Sequence, residues 1–164
     1  MSTESSSPSC GFQMIVHARS HASRSPPRVL VAEDDAEMRR LVVDALRKDG
    51  YQVSEAADGG GLLIRVAAQR AAIANGDGGD GDALASPIDL VISDVRMPVC
   101  SGLEVLAEIR RSCWDVPVIL MTAFGDDEAR EHAASLGAIL FDKPFSIDDL
   151  RTAVLNVLPI VRAR

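Results

Sequence analysis

The chain has 164 residues, 47% hydrophobic but only 4% aromatic, so a single domain with a core of Val, Leu, Ile and Ala is expected, with some length to spare. A formal charge of −7 gives no electrostatic drive toward nucleic acid or an anionic membrane, and no stretch approaches the roughly 18 apolar residues of a membrane span. Three cysteines (Cys10, Cys100, Cys113) fit neither a zinc nor a disulfide spacing, and no signal peptide opens the chain, so a cytoplasmic protein with reduced thiols is expected.

Residues 1–27 are rich in Ser and end in Ser25-Pro26-Pro27; with so little to bury, they are expected to be disordered. The texture changes at Arg28. Val29-Leu30-Val31-Ala32 is a short apolar run, the signature of a strand buried on both faces of a parallel sheet, and Glu33-Asp34-Asp35 follows abruptly. Met38, Leu41, Val42, Ala45 and Leu46 then recur at three- and four-residue steps, an amphipathic helix that Gly50 ends. Asp35 is suited to cap that helix, which leaves Asp34 for other work.

The alternation continues. Strands are predicted at Tyr51–Glu55, Ile88–Ser93, Val116–Met121 and Ala138–Phe141, and helices at Leu62–Ile73, Leu103–Arg111, Asp127–Leu136 and Ile147–Val161. Five strands alternating with five helices imply an α/β doubly wound parallel sheet covered on both faces. The Gly/Asp tract Asn75–Asp82 breaks the rhythm. It lacks the closing Glu and the flanking helix pair of a calcium loop, so it reads as a solvated surface insertion at about 75–86.

Ligands of an open parallel sheet sit beyond the carboxyl ends of its strands. After the first strand stand Glu33 and Asp34, after the third Asp94, after the fourth Thr122 and after the fifth Lys143. Three converging carboxylates repel one another unless a cation neutralises them, and oxygen ligands of this kind suit Mg²⁺. A carboxylate nucleophile, a hard cation, an ammonium and a hydroxyl together suit phosphoryl transfer, in which charge on the equatorial oxygens must be stabilised.

The runs Val29–Arg39, Asp89–Pro98 with Ser101–Glu104, Val118–Phe124 and Gly137–Phe145 together resemble a response regulator receiver domain over roughly Arg28 to Val161. The resemblance implies a flavodoxin-like (βα)5 fold with strand order 2-1-3-4-5. It implies that Asp94 is the phosphoacceptor, that Asp34 binds Mg²⁺ directly and Glu33 mostly through water, and that the backbone carbonyl of Arg96 is a further metal ligand beside Asp94. Thr122 and Lys143 would hold the phosphoryl oxygens, Met97-Pro98 and Gly102 would shape the loop after Asp94, and Lys143-Pro144 would be cis. The implied partners are a histidine kinase or histidine phosphotransfer protein and a downstream protein target, with no nucleic acid and no membrane. The implied output surface is the fourth helix, fifth strand and fifth helix. No output domain follows in this sequence, and no enzymatic activity is expected beyond self-catalysed phosphoryl transfer and autodephosphorylation.

Two positions depart from the family's usual pattern: Glu33 replaces an aspartate, and Leu140 stands where a Tyr or Phe switch is common, with Phe141 beside it. Two other functions are weighed. A phosphate-independent docking module is disfavoured by the intact Asp94, Thr122 and Lys143. An aspartyl-phosphate phosphohydrolase of the haloacid dehalogenase type needs a second Asp two residues after the nucleophile, where this chain has Arg96. Phe124 and Phe145 read as packing residues, Trp114 as a partly buried loop residue, and His17, His21 and His132 have no partners at metal spacing.

Overall fold

A computed structural model describes residues 26–75, 87–123 and 127–160. The expectations for the Ser-rich N-terminal segment through residue 25, for the Gly/Asp tract beyond Asn75 and for Phe124 lie outside the described residues.

The elements in order are β1 (Arg28–Ala32), α1 (Ala36–Asp49), β2 (Gln52–Ala56), α2 (Gly59–Asn75), β3 (Leu90–Asp94), α3 (Gly102–Arg111), β4 (Val118–Ala123), α4 (Asp127–Ser135), β5 (Ile139–Lys143) and α5 (Ile147–Val157). All strand pairs are parallel and the order is β2-β1-β3-β4-β5, the flavodoxin-like arrangement. Because alternate side chains point to opposite faces, the central strands feed two cores. Leu30, Val91, Val118 and Leu120 pack with Leu62, Val66, Val105, Leu106, Ile109 and Ala133 of α2, α3 and α4. Val29, Val31, Leu90, Ile92, Ile119 and Met121 pack with Val42, Val43, Leu46, Leu150 and Val154 of α1 and α5. Continuous apolar runs are what a sheet covered on both faces requires. No helix of the described residues is long and apolar enough to cross a membrane.

Local chemistry explains where element boundaries differ from the sequence reading. Strand β3 starts at Leu90 rather than Ile88, because the Ile88 N–H donates to the buried Gln69 side chain (3.1 Å). Strand β4 starts after Pro117, which has no N–H for the ladder. Helix α2 starts three residues early, at Gly59, despite the poor helix propensity of its three glycines. There the Asp58 carboxylate accepts the Gly61 N–H (2.7 Å), a cap that the apolar pattern does not reveal. Helix α5 stops at Val157, because Pro159 pushes Leu158 out of helical geometry (φ −135°, ψ 75°). The Asp35 cap on α1 is present, its side chain accepting the Met38 N–H at 2.7 Å, and Gly50 ends that helix at φ 102°.

Candidate functional site at the carboxyl edge of the sheet

Strand order reverses direction between β1 and β3, the place where an open parallel sheet offers a ligand crevice at its carboxyl ends. Glu33 and Asp34 leave β1 into it, and Asp94 is the last residue of β3. One carboxylate oxygen from each of Glu33, Asp34 and Asp94 lies within 4.8 Å of the others. Glu33 and Asp94 are buried, whereas Asp34 is exposed at the mouth. Lys143, the last residue of β5, reaches across: its Nζ is 2.7 Å from Glu33 Oε2 and 2.9 Å from Asp94 Oδ1. The expected Glu33, Asp34, Asp94 and Lys143 are thus brought together. The oxygen-only donor set and its spacing suit a hard divalent cation.

The charges of this cluster are interdependent. Burial pushes the Glu33 carboxyl above its ordinary pKa; the Lys143 hydrogen bond opposes the shift and the Asp94 charge adds to it. Burial pulls the Lys143 ammonium down, but its bonds to Glu33 and Asp94 outweigh burial and its pKa is raised. Lys143 therefore stays charged at neutral pH.

Close backbone packing sets the loop after Asp94. The Ser93 hydroxyl donates to the Asp94 carbonyl (2.9 Å), and the Gly102 N–H donates to the Val95 carbonyl (3.0 Å). A Cβ on Gly102 would collide with the Asp94 carbonyl and stand 2.8 Å from Ser93 Oγ, so only glycine fits. Ser101 caps α3 in a full capping box with Glu104. Val99, a β-branched residue, is held at φ 74° with 86% of its surface exposed, an uncommon and strained conformation. Arg96 lies in the same loop with its side chain exposed. Lys143-Pro144 is cis.

Thr122 lies inside β4 rather than after it, 1% exposed, and its hydroxyl donates to the Ala123 carbonyl (3.2 Å) instead of joining the carboxylates. Leu140 packs into the α2–α3–α4 core. Phe141, one residue on, faces the α1–α5 side and meets Phe145 edge-on, with centroids 5.9 Å apart. The alternation of β5 therefore puts Phe141 on the face opposite Leu140. Trp114 is half-buried against the core, His132 is exposed, and Cys100 and Cys113 are free thiols.

Sequence reasoning gave no role to Arg39 or Arg130. Arg130 of α4 makes a two-pronged ion pair with Asp142, the residue before Lys143 (3.1 and 2.7 Å). Arg39 Nη1 donates to the Glu33 carbonyl at 2.7 Å. Helical side chains lean toward the helix N-terminus, which could have pointed Arg39 back at the acidic loop.

The family model for the response regulator receiver domain matches residues 29–155. Sporulation initiation phosphotransferase F of Bacillus subtilis is 31% identical over 81% of this chain and 94% of its own length. The transcriptional regulatory protein PdtaR of Mycobacterium tuberculosis is 37% identical over 79% of this chain but only 55% of its own. The crystal structure of the response regulator TrrA of Thermotoga maritima in complex with Mg²⁺-BeF is similar with a TM-score of 0.61 at 29% identity, covering 80% of this chain and 99% of that one.

Proposed function

Because the chain belongs to the response regulator receiver family, we propose that it accepts a phosphoryl group on Asp94 from a histidine kinase or histidine phosphotransfer protein, in a Mg²⁺-dependent reaction. The observation that carries this reading is the meeting of Glu33, Asp34, Asp94 and Lys143 at one end of the sheet. An Asp94 carboxylate oxygen attacks phosphorus as the bond to the donor imidazole nitrogen breaks, and the imidazole leaves with the electron pair. Mg²⁺ held by Asp34, Asp94 and the Arg96 carbonyl, with Glu33 acting through water, would offset negative charge on the transferred group. Lys143 supplies a fixed positive charge from the opposite side, and Thr122 would turn from the Ala123 carbonyl to donate to a phosphoryl oxygen.

The acyl phosphate adds about −1.5 to −2 charges beside the ends of β4 and β5. That change would rebias the packing of α4 against β5; α4, β5 and α5 together form the surface offered to a downstream protein. Supporting the metal arrangement, Asp34 is exposed and outside the Lys143 ion pairs, whereas Glu33 is buried and bonded to Lys143. The test is a metal titration and acetyl phosphate labelling of Asp34→Ala and Glu33→Ala. Asp34→Ala should lose more metal affinity than Glu33→Ala; the reverse order would mean that Glu33 is the direct ligand.

A further inference from the structure

We propose that Arg39 is a positioning residue for the metal-binding carboxylates: it fixes the peptide that carries Asp34. The inference rests on the Mg²⁺ reading above. Among the described residues no hydrogen bond reaches the Asp34 carboxylate, and the contacts that place Asp34 act on its main chain. That main chain is gripped on both sides. The Glu33 N–H donates to the Ala56 carbonyl at the end of β2 (3.2 Å). The Glu33 carbonyl, on the peptide leading into Asp34, accepts Arg39 Nη1 at 2.7 Å, and the same nitrogen lies 3.5 Å from the Asp34 carbonyl.

The Arg39 guanidinium is itself held. Its side chain is 19% exposed and its Nε lies 3.8 Å from Glu55 Oε2 on β2, while Glu55 is bonded to Arg47 Nη2 at 3.0 Å. Arg39, Glu55 and Arg47 thus brace the acidic loop against α1 and β2. A planar, always-charged guanidinium suits this position, because it can serve a carbonyl and a carboxylate at fixed angles. Groups that orient metal ligands typically matter by about 10–100-fold in metal affinity.

Charge and geometry make opposite predictions here. Arg39 brings a positive charge close to a cation site, so removing the charge alone would tighten Mg²⁺ binding. Removing a brace on Asp34 would weaken it. The experiment is calorimetric titration of the full chain with Mg²⁺, comparing wild type, Arg39→Met, Arg39→Gln and Asp34→Ala, with melting curves in chelator to verify that each variant folds. Met and Gln are good helix formers, so α1 should persist. Arg39→Met and Arg39→Gln should each raise the Mg²⁺ Kd by about tenfold or more and shrink the Mg²⁺-induced rise in Tm. A folded variant that binds Mg²⁺ as well as wild type, or more tightly, overturns the role of Arg39 while leaving the metal reading intact. Wild type without Asp34-dependent Mg²⁺ binding overturns the metal reading, and this inference with it.

Discussion

The Lys143 ammonium lies 2.7 Å from the Glu33 carboxylate, a bond that closes 110 residues of chain and joins the ends of β1 and β5. Asp94 stands between those strands in the sheet and shares the same ammonium at 2.9 Å. Lys143 is thus the counter-charge of the acidic cluster, and the cluster's response to pH and mutation centres on it.

Replacing Lys143 with Met should leave Glu33 and Asp94 facing each other without a counter-ion, at a cost of roughly 1–3 kcal/mol at neutral pH, since Lys143 is partly solvated. The raised pKa of Lys143 means that its contribution is fully present below the ordinary lysine value of 10.5 and is lost as pH rises through the folded value. The penalty should also shrink in acid, where the Glu33 carboxyl, its pKa raised by burial, is protonated. Chemical denaturation at several pH values checks this; a penalty independent of pH would contradict it.

Glu33 shifts in the same direction, but at neutral pH its contribution is unfavourable where that of Lys143 is favourable. Its pKa is raised, so its favourable contribution exists below the ordinary value of 4.5 and is lost as pH rises through the folded value; at neutral pH the charged form costs stability. Without divalent metal, Glu33→Gln should melt at a higher temperature than wild type at pH 7. The rise in Tm on adding Mg²⁺ should be smaller in the variant.

Val99 tests the strain in the loop after Asp94. Asn tolerates φ near 74° better than a β-branched residue does, so Val99→Asn should stabilise the protein by about 1 kcal/mol. Acetyl phosphate labelling should be unchanged. Gly102→Ala should do the reverse, because its Cβ meets the Asp94 carbonyl, and should cost about 1–3 kcal/mol.

Much of this was legible in the sequence, for a physical reason. A parallel sheet buried on both faces needs apolar runs, and a crevice at the strand ends needs polar residues where those runs stop. Val29–Ala32 followed by Glu33-Asp34, and Ile92-Ser93 followed by Asp94, carry both signals at once. The residues that were not legible act through the main chain or over long range. Arg39 serves a carbonyl, and any residue offers a carbonyl. Gln69 takes the Ile88 N–H from across the α2–β3 connection. The three glycines of α2 are helical because Asp58 caps them, and position 59 must be glycine because a Cβ there would collide with the Cys100 carbonyl.

The output surface is tested by amide exchange with and without beryllofluoride. Protection should change within Asp127–Leu155, across α4, β5 and α5. Arg130→Ala, which removes the ion pair from α4 to Asp142, should raise exchange in α4 before any phosphate is added. Changes confined to Leu41–Leu46 and Leu62–Ile73 would place the signalling face elsewhere.

The most direct measurement is the intact mass of the protein after incubation with Mg²⁺ and acetyl phosphate, for wild type and Asp94→Asn. One phosphoryl group should appear on wild type, none should appear when the metal is chelated, and none should appear on Asp94→Asn. Undiminished phosphorylation of Asp94→Asn would contradict the assignment of Asp94 as the phosphoacceptor.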